Sequence, residues 1–295
     1  MDTSSLSKSL LIFGCGYVGL ELARQSLELG WSVTAFTRNQ QSAEKAEKIG
    51  AIPVIGILQD REWWDQLSPD YDHVVNSVGA YSPSLEGYQQ SYFMGMRSVV
   101  DWLEQANGRV KNLLFTSSSS VYPQKDGSLV NEKSEHQGVS ARGKILLDAE
   151  RICLQASEKL AVRRFVVRLS GLYGPGRHLL VDKIRRQEPM SGNPRRVLNL
   201  THRDDAASAV LSVLQSSDLC GGGIFNACDG QHATRGEIVS WVAEHLGTTA
   251  PKFEEIDQDQ GPHRRVDNTK IKQVLGWSPK FPNFQSGYED FLASE

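Results

Sequence analysis

This sequence has no long hydrophobic run. The longest apolar stretch near its start, residues 10–13, breaks at Gly14. That is too short for a secretory leader or a membrane span, and no cluster of positive charge precedes it. Charge of one sign is missing as well: 32 Lys and Arg against 35 Asp and Glu leave a formal −3. The balance gives no electrostatic case for nucleic acid or for an anionic membrane. The basic pairs Arg185-Arg186, Arg195-Arg196 and Arg264-Arg265 are short and read as solvated surface. Cysteine is scarce, with Cys15, Cys153, Cys220 and Cys228 forming no CxxC pair and having no histidine at metal-ligand spacing. Free thiols in a reducing cytoplasm are therefore expected, without a disulfide framework or a metal. The adjacent Asp204-Asp205 lack further ligands and do not change that reading.

What is present is alternation. Residues 9–13 read as a strand and 16–29 as a helix, with Val18, Leu22 and Leu29 on one face and Gly30 as its stop. Residues 31–37 form the next strand and 41–49 a polar helix. Further strands are expected at 51–55, 73–78, 112–116 and 165–169, with helices at 92–105 and 142–160 between the later ones. Strand and helix in repetition imply a parallel sheet covered on both faces. After Tyr173 the texture changes to Gly174-Pro175-Gly176, a basic stretch over 183–196 and Gly221-Gly222-Gly223. The expected organisation is α/β. A doubly wound parallel sheet spans 1–172, and a smaller C-terminal substrate-binding region spans 173–295. Within the latter, 200–215 and 222–230 return to the first domain or its junction.

Gly14-Cys15-Gly16-Tyr17-Val18-Gly19 follows the first strand and opens the first helix. A lone GxGxxG is weak, but a strand before it and a helix after it make it a Rossmann dinucleotide turn. The first glycine allows the tight turn, the second lets the backbone approach a pyrophosphate, and the third lets helix and strand pack closely. The helix start, with Tyr17 and Val18, presents N–H groups and partial positive charge to the phosphates. The second strand ends in Thr37-Arg38-Asn39, without the carboxylate that accepts hydrogen bonds from an adenosine ribose in NAD binders. Arg38 instead offers a planar fork to a 2′-phosphate. NADP is the expected cofactor, with NAD as second choice.

Four further segments carry a family resemblance that covers nearly the whole chain. Thr116-Ser117-Ser118-Ser119-Ser120-Val121-Tyr122 comes first, then Arg168-Leu169-Ser170-Gly171-Leu172-Tyr173-Gly174-Pro175-Gly176. His202-Arg203-Asp204-Asp205-Ala206 follows. The last is Asp267-Asn268-Thr269-Lys270 with Leu275-Gly276-Trp277-Ser278-Pro279. In this order and at these spacings the chain resembles the extended short-chain dehydrogenase/reductases, in their NAD-dependent epimerase/dehydratase branch. The resemblance implies a catalytic serine at Ser118, a ribose-binding lysine at Lys144 and a place for Gly79 in the cofactor site. It also implies a homodimer through the helices at 92–105 and 142–160.

The family's tyrosine, four residues before the lysine, is absent: the segment reads Ser140-Ala141-Arg142-Gly143-Lys144, with Glu150 farther along. A phenol tuned by a nearby ammonium can exchange a proton with the substrate oxygen. An aliphatic hydroxyl is a much weaker acid and needs its own base. Ile57 and Tyr92 also stand where the family carries an aspartate and an asparagine. Tyr173, His178 and Tyr122 are the substitute proton donors the sequence offers. Arg177, Arg264 and Arg265 are candidates for contact with an anionic, small-molecule substrate. Two functions remain open: an NAD(P)-dependent oxidoreductase or epimerase/dehydratase-like enzyme, acting on a hydroxyl or carbonyl carbon such as that of a nucleotide sugar, and an NAD(P)-binding regulatory or redox-sensing protein with little catalysis.

Overall fold

The computed structural model describes residues 7–177, 179–216, 219, 222–254 and 261–292. Contacts divide the chain into two compact units. The first is Met1–Val121, Val139–Arg168 and Ala207–Phe225; the second is Tyr122–Gly138, Leu169–Ala206 and Asn226–Glu295. Each unit draws on three separate stretches of the chain. Residues 122–138 join the second unit because Leu129–Val130 pairs in parallel with Arg265–Val266, and sequence periodicity does not register a two-residue pairing across 136 positions.

The first unit is built on a seven-stranded sheet: β1 (Ser9–Phe13), β2 (Ser32–Thr37), β3 (Ile52–Ile55), β4 (His73–Asn76), β5 (Val110–Ser118), β6 (Ala161–Leu169) and β7 (Gly222–Ala227). Its order is 7-6-5-4-1-2-3, the doubly wound parallel arrangement of a Rossmann fold. Register runs Phe13 opposite Phe36 and Asn76, and Asn76 opposite Phe115. Strands buried on both faces need near-continuous apolar runs, and Leu10 to Phe13 are wholly buried. Phe13, Phe36, Trp63 and Trp102 form an aromatic cluster with centroid separations of 5.1 to 5.9 Å. Such edge-on pairs each add about 0.5–1.5 kcal/mol beyond their buried area.

Helices α1 (Tyr17–Glu28) and α2 (Gln40–Lys48) follow β1 and β2. Gly30 and Gly50, at φ +77 and +94, stop them. These are positions where a left-handed turn favours glycine. The helix expected at 92–105 begins earlier. Ser84 caps α3 (Leu85–Tyr88), accepting from Gly87 N at 2.9 Å, a π-helical stretch follows over Gln89–Met94, and α4 (Gly95–Gln105) continues it. The helix expected at 142–160 is shorter. It is α5 (Ala141–Leu154), after which the Ser157 hydroxyl takes Lys159 N and the chain turns toward β6.

The second unit has its own core, in which Tyr173, Val181, Ile184, Met190, Val242 and Tyr288 take part. Asp205 anchors its closing segment, accepting from Lys280 N at 2.6 Å and Phe281 N at 3.0 Å. Among the described residues no helix is long and apolar enough to cross a membrane.

Candidate functional site

The loops that leave the carboxyl ends of β1, β2, β4 and β5 hold most of the expected cofactor residues. Gly14 N and Cys15 N both donate to Phe36 O, at 3.0 and 3.2 Å, so the turn is tied to β2. A Cβ on Gly14, which sits at φ +85, would lie 2.6 Å from the Val78 backbone. One on Gly19 would collide with the Gly14 carbonyl oxygen. One on Gly16 would meet nothing within 4 Å. Two glycines therefore serve packing within the protein, and the middle one leaves an open cradle over the helix start. No side chain caps the first turn of α1, and no acidic residue lies in it. This is the donor set and the free space that a pyrophosphate requires, so the residues present fit a dinucleotide. Burial holds the Cys15 thiol up to about 12, so the cysteine of the turn stays protonated and inert.

At the end of β2, Thr37 is buried, and its carbonyl accepts from Gly56 N at 2.9 Å. Asn39 caps α2, its side chain accepting from Ser42 N at 2.9 Å. The carboxamide expected at the cofactor thus has a local structural task. Arg38 is exposed. Beyond β4, Ser77 N donates to Phe13 O at 2.7 Å, and a Cβ on Gly79 would meet nothing within 4 Å. Ala80 N and Tyr81 N donate to the Tyr92 hydroxyl and to Ser91 Oγ, at 3.2 and 3.1 Å. Tyr92 thereby holds this loop, and Ile57 is exposed.

Ser118 ends β5, partly exposed, with its hydroxyl accepting from Ser120 N at 3.1 Å. Ser140 is the N-cap of α5, its Oγ accepting from Gly143 N at 3.2 Å. The residue in the tyrosine position is thus engaged in starting the helix. Lys144, one turn on, is exposed and lies on the same face as Ser140. A Cβ on Gly143 would lie 3.0 Å from Ser120 O, so the first turn of α5 abuts the serine segment. The helix is pinned by a buried pair: Arg168 donates to Glu150 through Nε at 2.9 Å and Nη2 at 2.7 Å, and Ser117 Oγ donates to Glu150 Oε1 at 2.6 Å. Sequence reasoning passed over both Ser117 and this pair. The signal was only a charge in an otherwise apolar strand.

The remaining candidates lie in the second unit. Tyr173 is a core residue, its hydroxyl against Gly287 and its ring 5.3 Å from His202 and 5.1 Å from Tyr288. Tyr122 is buried and donates to Asn226 Oδ1 at 2.8 Å. Both packings correct the expectation of an open proton donor. His178, like Cys220, lies outside the described residues. Arg177 and Arg265 are exposed, with Arg265 Nε donating to Gly127 O at 3.0 Å. Arg264 is buried, which pushes its guanidinium down to about 10.

A family model described as "NAD dependent epimerase/dehydratase family" matches residues 10–228. Protein YeeZ of Escherichia coli (strain K12) is 29% identical over 283 residues, covering 94% of this chain and 97% of that protein. Among solved structures, MoeE5 in complex with UDP-glucuronic acid and NAD superposes with a TM-score of 0.81 at 22% identity, covering 95% of this chain and 96% of that one. UDP-glucuronic acid 4-epimerase from Bacillus cereus, in complex with UDP-glucuronic acid and NAD, gives 0.82 at 18%, covering 97% and 99%.

Proposed function

The chain belongs to the NAD dependent epimerase/dehydratase family, and on that premise we propose that it is an NAD(P)-dependent oxidoreductase or epimerase acting on a hydroxyl or carbonyl carbon of a nucleotide sugar. The observation that carries the reading is the glycine turn, closed by protein at Gly14 and Gly19 and open at Gly16. The two solved structures named above hold a UDP-sugar acid together with NAD, which supports that substrate class.

When bound, the dinucleotide supplies hydride exchange at its nicotinamide ring. The chain's own residues then divide the work. The first turn of α1 holds the pyrophosphate. Arg38 clamps an adenosine 2′-phosphate, which makes NADP the preferred form. Lys144 binds the nicotinamide ribose, and the Ser118 hydroxyl holds the reacting oxygen. Arg177, Arg264 and Arg265 are the second unit's candidates for an anionic substrate group, with Arg264 the buried one of the three.

The test is a calorimetric titration of the full chain with NADPH and, separately, with NADH. Tight binding that favours NADPH is expected. Arg38→Ala should then weaken NADPH by roughly 10–100-fold, the worth of a charge-assisted hydrogen bond, and leave NADH nearly unchanged. Equal losses for both, or none, overturn the NADP assignment. Absence of binding by either dinucleotide overturns the whole reading.

A further inference from the structure

The reaction proposed above needs a group that carries a proton to and from the reacting oxygen, and Ser140 is committed to capping α5. A phenol is the apt replacement, being a far stronger acid than an aliphatic alcohol. The chain has eight tyrosines. Tyr71 begins the opposite edge of the sheet, before β4, and donates to Thr34 Oγ1 at 3.1 Å. The Tyr17 hydroxyl is buried. Tyr92 accepts from Ala80 N. Tyr88 lies under Arg142, whose guanidinium is 5.5 Å from its ring. Arg142 is two residues from both Ser140 and Lys144, hence on the far side of α5. Tyr122, Tyr173 and Tyr288 are buried in the second unit.

The eighth is Tyr81. Its backbone is fixed by Ser91 Oγ and its neighbour's by Tyr92, both from the π-helical stretch, a feature that tends to mark functional sites. Its side chain is 48% exposed, with no hydrogen-bond partner among the described residues. The loop it stands on leaves β4 beside the phosphate turn, since Val78 is the backbone against which Gly14 packs. The strand it leaves, β4, lies beside β5, which ends in Ser118. Asn76 is opposite Phe115 in the parallel register, and Thr116 Oγ1 is 3.4 Å from Ser77 Oγ. Tyr81 and Ser118 thus emerge from adjacent strands at one edge of the sheet. The first turn of α5, with Lys144, abuts the same serine segment.

We propose that Tyr81, on the loop after β4, is the catalytic acid–base residue of this protein, in place of the tyrosine that Ser140 replaces. In the oxidative direction the substrate C–H bond breaks, and its hydrogen leaves with the bonding pair to the oxidised nicotinamide. The O–H bond breaks as its proton passes to the Tyr81 phenolate oxygen, and its electrons form the C=O bond. In the reductive direction the phenol returns that proton to the alkoxide oxygen. The inference rests on the dinucleotide reading above.

The experiment treats the full chain with tetranitromethane, which nitrates accessible tyrosines, with and without saturating NADPH, and maps the sites by mass spectrometry. Tyr81 is expected to be nitrated in the free protein and protected by the dinucleotide. Tyr81→Phe, which removes an exposed hydroxyl, should keep its melting temperature and bind NADPH within about twofold of wild type. Its single-turnover oxidation of NADPH, across a panel of keto-sugar nucleotides and simple ketones, should slow by roughly 10²–10⁴-fold. Nitration indifferent to NADPH, or a wild-type rate in Tyr81→Phe, overturns this inference and leaves the dinucleotide reading standing. Tight NADPH binding with no turnover of any panel member overturns it too. Failure of the wild type to bind either dinucleotide overturns both.

Discussion

Gly14 and Gly16 are two residues apart, yet they answer different constraints. Alanine at 14 would need a left-handed backbone and would press within 2.6 Å of Val78, so Gly14→Ala should destabilise the protein by roughly 1–3 kcal/mol. Alanine at 16 would touch no protein atom within 4 Å, so its effect on folding should stay below about 1 kcal/mol. It would nonetheless fill the space a pyrophosphate needs, and NADPH affinity should fall by more than about tenfold. Urea denaturation and calorimetry on the two variants separate these effects; a Gly16→Ala protein that binds NADPH normally would falsify the cradle. The sequence marked all three glycines as one motif. The motif gives each a separate task, and the neighbours show what a side chain at each would meet.

Among the elements, α5 carries the most instructive difference between expectation and structure. The spacing from residue 140 to Lys144 was legible, and so was the serine at 140 where the resemblance calls for a tyrosine. What Ser140 does instead was not, because capping depends on where the helix begins. Helix α5 is also held by a buried ion pair, with Arg168 and Glu150 side chains only 2% and 4% exposed. Such a pair gives little net stability against an apolar substitute, but removing one member strands a buried charge. Glu150→Gln should therefore lower stability by about 3–5 kcal/mol in urea denaturation. A loss below about 1 kcal/mol, the range of an exposed pair, would show that the guanidinium finds another partner or reaches water. The π-helical stretch before α4 belongs to the same lesson. Polar Gln89, Gln90 and Ser91 give no periodicity that distinguishes a π turn from a loop, and its role shows only in the bonds that Ser91 and Tyr92 make to residues 80 and 81.

On the scale of the whole molecule, buried titratable groups in the two units respond to pH in opposite senses. His73, stacked on Trp31 at 4.9 Å and 2.9 Å from Asn112 Nδ2, is pushed down to about 4 by burial. Between that value and 6.5 the unfolded chain binds a proton that the native one does not, so this contribution to stability is lost as pH falls through the window. Asp229 is pushed up to about 7, and Asp205 to about 6, again by burial. For these the native state holds a proton that the unfolded state has released, so stability falls as pH rises from the ordinary carboxylate value toward neutrality. Asp229→Asn keeps an oxygen that can accept from Gln231 N and abolishes the ionisation. Its stability relative to wild type should therefore grow by on the order of 2–3 kcal/mol between about pH 5 and about pH 8. Urea midpoints for both proteins at the two pH values check this, and a difference that stays constant or shrinks defeats it. The sequence put His73 in an expected strand and Asp205 in a motif, but the burial that moves these groups depends on what packs around them.

The seventh strand, Gly222–Ala227, aside, the sequence by itself gave the strands of the sheet and the glycine turn after the first of them. Both depend on local rules: apolar runs bounded by turn residues, and three glycines between a strand and a helix. It also gave a serine at 140, four residues before Lys144, because the spacing within a motif is read directly along the chain. The tertiary structure alone decided the fate of side chains. Tyr173 and Tyr122 were buried in the second unit, Asn39 and Ser140 became helix caps, and Tyr81 was left exposed on the loop after β4. Burial and hydrogen-bond partnership are set by residues from distant parts of the chain, as Asn226 with Tyr122 or Ser91 with Tyr81. A linear pattern carries no record of which distant groups will meet.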